Sequence, residues 1–186
     1  MTKTALFLAA LLAATCASAQ TVKLQTTEGD IRVELDAAKA PKSVANFLQY
    51  VKAGHYNGVV FHRVIPNFMV QTGGYDAKLN QRPTKPPIPL ESHNGLSNVR
   101  GSVAMARTDH PHSATSQFFI NVVDNLFLDG DAENPASGYA VFGRVVEGME
   151  VVDKIRAAET KSVSVHQNLP IKPIFITKAL VEPAQK

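Results

Sequence analysis

Residues 61–74 read FHRVIPNFMVQTGG. Val59 to Ile65 is a β-branched and aromatic run, which predicts a strand. Pro66-Asn67 interrupts it, Phe68 to Gln71 resumes it, and Thr72-Gly73-Gly74 breaks it. The unusual member is Arg63, a charged residue inside an apolar strand, with Gln71 following beyond a Phe-Met pair. Two readings of these residue types stay open. In one, Arg63 snorkels from an edge strand while Phe68 and Met69 fill the core. In the other, the arginine and the Phe-Met pair line a surface site.

The same ambiguity recurs in Ser116-Gln117-Phe118-Phe119-Ile120-Asn121, a second short strand. Alternation along a strand sends Phe118 and Phe119 to opposite faces, so one can fill the core while the other lines a pocket. Outward from these two stretches the chain is rich in strands. Thr21 to Leu35 alternates through Val22, Leu24, Ile31, Val33 and Leu35, with Glu28-Gly29-Asp30 as a hairpin turn. Gly101 to Ala106, Tyr139 to Val146 and Pro173 to Val181 predict further strands.

Pro41 to Gly54 predicts a helix, with Val44, Phe47, Leu48 and Val51 on one stripe, proline in its first turn and glycine at its end. Glu147 to Ala158 predicts a second, with Met149, Val152 and Ile155 on one side. Tyr75 to Asn98 carries Pro83, Pro86, Pro87 and Pro89 without periodicity and reads as an ordered surface loop. It does not read as an interdomain linker, because neither side has enough elements for its own core. About eight short strands and two helices predict a β-barrel or sandwich with helical covers.

Met1 to Ala19 is different material. It holds 14 hydrophobic residues, with Lys3 before the apolar run Ala5 to Ala14 and the small-x-small pattern Ala17-Ser18-Ala19 at its end. That is the pattern of a cleavable secretory signal. The run is about ten residues long, half of the roughly 20 a membrane span needs. Cleavage before Gln20 leaves one domain, residues 20–186, with no cysteine, since the one cysteine is Cys16. The expected mature protein has no disulfide, no thiolate nucleophile and no cysteine metal site.

The full chain has a formal charge of +3 and no basic run, so nucleic acid is not expected as a partner. No G-x-S-x-G, P-loop or dinucleotide motif occurs. His110 and His112, beside Asp109, would need further ligands to hold a metal, and they read as a solvated loop. No metal and no cofactor is expected.

FHRVIPNFMVQTGG (61–74), GSVAMAR (101–107), SQFFIN (116–121), LFLDG (126–130) and YAVFGRVVEGMEVVDKI (139–155) closely resemble the cyclophilin family of peptidyl-prolyl cis-trans isomerases. Order and spacing also fit, so the resemblance runs from roughly Val22 to Val181. The signal-like segment, the Pro-rich loop and Phe127 are similar to the periplasmic cyclophilins of Gram-negative bacteria. The resemblance implies a mainly β fold, a closed eight-stranded antiparallel β-barrel capped by two α-helices. It implies Arg63 as catalytic arginine, with Gln71 positioning it and binding substrate backbone. Phe61, Phe68, Met69, Phe119 and Leu128 match the substrate-binding residues around the proline pocket. Ala106 and Arg107 match the segment that receives residues before proline, and Phe127 and Tyr139 match the rim.

The sequence departs from the family in three places. Phe127 stands where strong cyclosporin binders carry tryptophan, so weak cyclosporin binding is expected. Tyr139 replaces a frequent histidine. Arg107 replaces a frequent asparagine, which raises the expectation that acidic residues are favoured before the proline. The implied partners are proline-containing polypeptides, unfolded or in loops, with no membrane contact after signal cleavage and a monomeric state. The implied location is the periplasm. A peptide-binding or chaperone module with incidental isomerase activity is the alternative.

Overall fold

The computed structural model describes residues 20–183, so the signal-like segment 1–19 lies outside the described residues. The main elements run β1 (Thr21–Thr26), β2 (Gly29–Leu35), α1 (Pro41–Lys52), β3 (Val59–Val60), β4 (Arg63–Ile65), β5 (Met69–Thr72), β6 (Ser102–Met105) and β7 (Phe118–Asn121). A 3₁₀ turn (Leu126–Leu128) precedes β8 (Val141–Glu147), α2 (Met149–Arg156), β9 (Thr160–Val163), β10 (His166–Pro170) and β11 (Phe175–Val181).

Nine of these strands form one antiparallel sheet in the order β3-β11-β1-β2-β8-β6-β7-β5-β4. Its two edges, β3 and β4, are separated in the chain by only Phe61 and His62. The Phe61 amide donates to the Ile174 carbonyl at 2.9 Å beside β11, and the His62 amide donates to Gln71 at 3.1 Å on β5. One bent segment thus serves both edges, and the sheet curls round until it meets itself. Counted as one strand bent at Phe61-His62, β3 and β4 bring the barrel to the expected eight.

The barrel's interior is apolar. Val22, Leu24, Ile31, Val33, Val64, Val70, Val103 and Ile120 alternate into it from successive strands and are all fully buried. α1 covers it with the predicted stripe: Val44, Phe47 and Val51 are buried, and Leu48 packs at the margin. Phe47 is the centre of an aromatic cluster, with ring centroids 5.2 to 5.3 Å from Tyr56, Phe118 and Phe142. The start of α1 has no cap of its own. Glu91 from the long loop supplies one, its carboxylate accepting from the Lys42 and Ser43 amides at 3.0 and 2.8 Å. With Lys85 N donating to the Tyr50 hydroxyl at 2.8 Å, this fixes the Pro-rich loop to the domain.

Two boundaries differ from expectation. The first hairpin turns at Thr27-Glu28, and Gly29 and Asp30 already pair with Thr26 and Gln25. The hairpin β9-β10 was not legible, because TKSVSVHQNLP carries polar residues on both faces and shows no alternation. Its turn uses Ser164 at φ 52° and its irregular register uses Asn168 at φ 56°. This hairpin packs against β4, next to the bend.

Candidate active site

β4 and β5 set Arg63 directly opposite Gln71 on one antiparallel rung, and Gln71 in turn opposite Phe119 on β7. The register is forced by alternation: Val64 and Val70 must face the core, so Arg63 and Gln71 face the other way. Arg63 Nη1 lies 3.5 Å from Gln71 Oε1, and its Cζ lies 5.9 Å from the centre of the Phe68 ring. The Gln71 amide nitrogen donates to Gln117 Oε1 at 2.9 Å. Both ends of the Gln71 amide are thereby engaged. Among the described residues no carboxylate lies within 4.0 Å of the Arg63 guanidinium.

Phe118 and Phe119 part as alternation requires. Phe118 enters the main core, whereas Phe119 joins a second apolar cluster with Met69, Ala104, Leu128 and Val141. Phe68, Ala106 and Tyr139 are half-buried against that cluster. Phe119 and Tyr139 meet edge to face at 5.6 Å, and Phe68 stacks on Phe127 at 5.8 Å. Phe127 is 75% exposed and Leu126 60%, so the outer rim is an open apolar shelf. The structure therefore brings Arg63, Gln71, Phe68, Met69, Ala106, Phe119, Phe127, Leu128 and Tyr139 into one neighbourhood.

Phe61 is the exception. It lies at the bend of the shared strand, fully buried in the main core, and does not join the second cluster. Its side chain packs with the barrel core, away from the other expected site residues. Arg107 is held by neighbouring loops. Its guanidinium lies 4.9 Å from the Tyr139 ring centre and donates to the carbonyls of Gly138 and Thr108 at 2.9 Å each. Longer contacts of 3.4 Å reach the carbonyls of Asp109 and Ala136. With these donors turned to two rim loops, Arg107 ties the loops together beside the cleft.

Gln117 is not among the site residues the sequence implies, yet it extends the Arg63–Gln71 contact into a chain. Gly74 makes room for it: a Cβ there would lie 2.7 Å from the Gln117 side-chain carbon Cδ. A separate groove of about 630 Å³, touched by Glu34, Leu96, Val141 and Arg144, offers no comparable chemistry, since its arginine is already paired with Glu34 at 2.7 Å.

A curled antiparallel barrel thus carries on one side an arginine with, among the described residues, no carboxylate partner, beside an apolar cleft. Comparison with known proteins gives the class to which this barrel belongs. The family model described as cyclophilin type peptidyl-prolyl cis-trans isomerase matches residues 21–181. Peptidyl-prolyl cis-trans isomerase A of Dickeya dadantii is 54% identical over 160 residues, covering 86% of this chain and 83% of that protein. Peptidyl-prolyl cis-trans isomerase B of Escherichia coli is 49% identical over 161 residues, covering 86% and 98%. A crystal structure of a Cryptosporidium parvum cyclophilin, determined in the presence of the dipeptide Ala-Pro, superposes with a TM-score of 0.73 at 25% identity. It covers 88% of this chain and 99% of that one. The chain belongs to the cyclophilin-type peptidyl-prolyl cis-trans isomerases, and it is an isomerase of that type.

His62, next to the arginine, is almost fully buried, and its Nδ1 has no hydrogen-bond partner. Tyr75 packs edge-on at 4.7 Å, and His166 of β10 lies 6.4 Å away. Burial first, and then the nearby His166, push its pKa from 6.5 down to about 4. His62 is neutral at pH 7. Between about 6.5 and 4 the unfolded chain binds the proton that the folded protein refuses, so stability falls as pH drops through that window and levels below it. Denaturant unfolding at a series of pH values in wild type and His62→Gln should show a shallower decline in the variant. Parallel curves would contradict the assignment.

Proposed function

We propose that this isomerase acts by aiming the Arg63 guanidinium at the prolyl nitrogen of an X-Pro bond seated in the apolar cleft, and that its substrates are exported or folding polypeptides. Rotation about a peptide bond meets a barrier of about 18–20 kcal/mol because the nitrogen lone pair is delocalised into the carbonyl. In the twisted transition state that delocalisation is lost, and the nitrogen becomes pyramidal and able to accept a hydrogen bond. A guanidinium there binds the transition state in a way the planar ground state cannot match. No nucleophile is needed and no proton is removed.

The observation that carries this reading is a guanidinium beside an apolar floor, held by an amide and, among the described residues, without a carboxylate partner. A carboxylate would compete with the prolyl nitrogen for the same donors, whereas Gln71 offers one long 3.5 Å contact that leaves them free. In this mechanism Phe68, Met69, Phe119 and Leu128 hold the proline ring and exclude water, which strengthens the hydrogen bond. Ala106 and the main chain at Arg107 receive the residues before the proline, and Phe127 and Tyr139 form the rim. The exposed Leu126-Phe127 shelf also favours the second reading, a peptide-binding module in which isomerisation is incidental.

Proline-limited refolding separates the two. Arg63→Ala should slow catalysis about a hundredfold, the size of a lost transition-state donor, while the peptide still binds. An Arg63→Ala protein as fast as wild type would sink the mechanism. Cyclosporin binding is expected to be weak, since Phe127 keeps an aromatic wall and lacks the indole N–H. Inhibitor titration should show tighter inhibition of Phe127→Trp than of wild type, and equally tight inhibition of both would contradict this.

The apolar segment before Gln20 supports export to the periplasm. Mass spectrometry of the exported product should find a chain beginning at Gln20. An uncleaved chain retained in the cytoplasm would refute the export reading.

A further inference from the structure

Behind the apolar floor of the cleft lies a set of buried amides that no catalytic step uses. Asn98, Asn121 and Asn125 are each at most 2% exposed, and their side chains form one connected set. Asn121 Nδ2 donates to Asn98 Oδ1 at 3.1 Å and to Ser102 Oγ at 2.9 Å. Asn125 Nδ2 donates to Asn121 Oδ1 at 2.7 Å and to the Phe68 carbonyl at 2.8 Å. Asn98 Nδ2 reaches the Leu128 carbonyl at 3.2 Å, Asp129 Oδ1 at 2.9 Å and the Tyr139 carbonyl at 3.4 Å.

The choice of acceptors is the informative part. Three are main-chain carbonyls of cleft residues: Phe68, Leu128 and Tyr139. These residues come from three separate stretches, and all three lie outside the strands of the sheet. Ladder pairing does not set their spacing. Two main-chain bonds contribute, Tyr139 N to Leu128 O at 2.9 Å and Val122 N to Phe68 O at 3.1 Å. The side-chain amides link the two walls to each other, supported by the main-chain N–H of Asn125 donating to Asn98 O and that of Asn98 to Asp129 Oδ1, both at 2.7 Å. Buried amides are costly unless satisfied, and apolar side chains would fill the same space more cheaply. What the amides add is direction, because each bond fixes a carbonyl at one place.

We infer that Asn98, Asn121 and Asn125 are positioning residues for the isomerase reaction, holding the Phe68 wall and the Leu128–Tyr139 wall at the separation a proline ring requires. The inference rests on the reading that this cleft receives the proline.

The test uses Asn125→Asp, nearly the same shape but without the two donated bonds. It is made in wild type and in a Phe127→Trp background. The sequence has no tryptophan, so that indole is the sole reporter and sits in the 3₁₀ turn itself. Val22→Ala, in the main core, serves as a control for lost stability alone. Well below the unfolding temperature, Asn125→Asp should raise KM for a proline peptide about tenfold, with kcat changed about threefold at most. It should also lower the indole anisotropy. Val22→Ala should lower the melting temperature and leave KM and anisotropy alone.

If Asn125→Asp behaves like Val22→Ala, losing stability with KM and anisotropy unchanged, the inference is wrong. Should Asn125→Asp not fold, Asn121→Ser retains a hydroxyl for its neighbours and is read the same way: a smaller rise in KM supports the inference and an unchanged KM overturns it. Arg63→Ala in the same assay keeps the two claims apart. Full activity there would remove the arginine mechanism, while the anisotropy comparison would still report whether the amides fix the wall.

Discussion

The rung that sets Arg63 opposite Gln71 is the constraint on which the site depends. It places a positive charge on the outward face of a strand whose inward face, Val64 and Val70, is locked in the core. A slip of one residue would put the charge inside the barrel and the valines outside, which burial forbids. The register that stabilises the fold therefore also aims the guanidinium. Gln71 and Gln117 then hold it by neutral amide contacts, so that its charge is not spent on a carboxylate.

The bend at Phe61-His62 makes that rung possible. Because one segment serves both edges of the sheet, β4 is short and its partner β5 returns at once through Pro66-Asn67. The tight return puts Phe68 and Met69 beside Arg63. Phe61, buried on the core side of the bend, anchors the turn from within, and His62 packs beneath Tyr75 on the other flank. Arg63, Phe68 and Met69 thus come from one continuous stretch, while β6, β7 and β8 supply Ala104, Phe119 and Val141 and hydrogen-bonded loops bring Leu128 and Tyr139.

Much of this was legible in the sequence, for physical reasons that differ by element. The stripe Val44, Phe47, Leu48, Val51 predicted the covering face of α1 because helical period and burial agree. Phe118 and Phe119 were separable because strand alternation leaves no other choice. The oddity of Arg63 was visible as a charge inside an apolar run, although only the family resemblance gave it a role. Phe61 stands apart from the other expected site residues because the bend turns it into the main core, which a sequence pattern does not show. β9-β10 escaped notice because its hairpin has no apolar face to write a period. The buried asparagines are invisible for a related reason: Asn98 ends what reads as a polar loop and Asn125 lies where no element is predicted, and only three-dimensional contacts reveal that they are satisfied and enclosed. Arg107 looked like a free charge for the same reason, since its carbonyl partners lie across two loops.

The central claim is that Arg63 stabilises the twisted state of the bond and adds little to ground-state binding. Magnetisation exchange between the cis and trans forms of a bound proline peptide measures this directly. With Arg63→Lys, which keeps the charge and loses the planar fork, peptide affinity should stay close to wild type while interconversion on the enzyme slows by an order of magnitude or more. Unchanged interconversion with weakened affinity would show that the arginine merely binds, and would contradict the account.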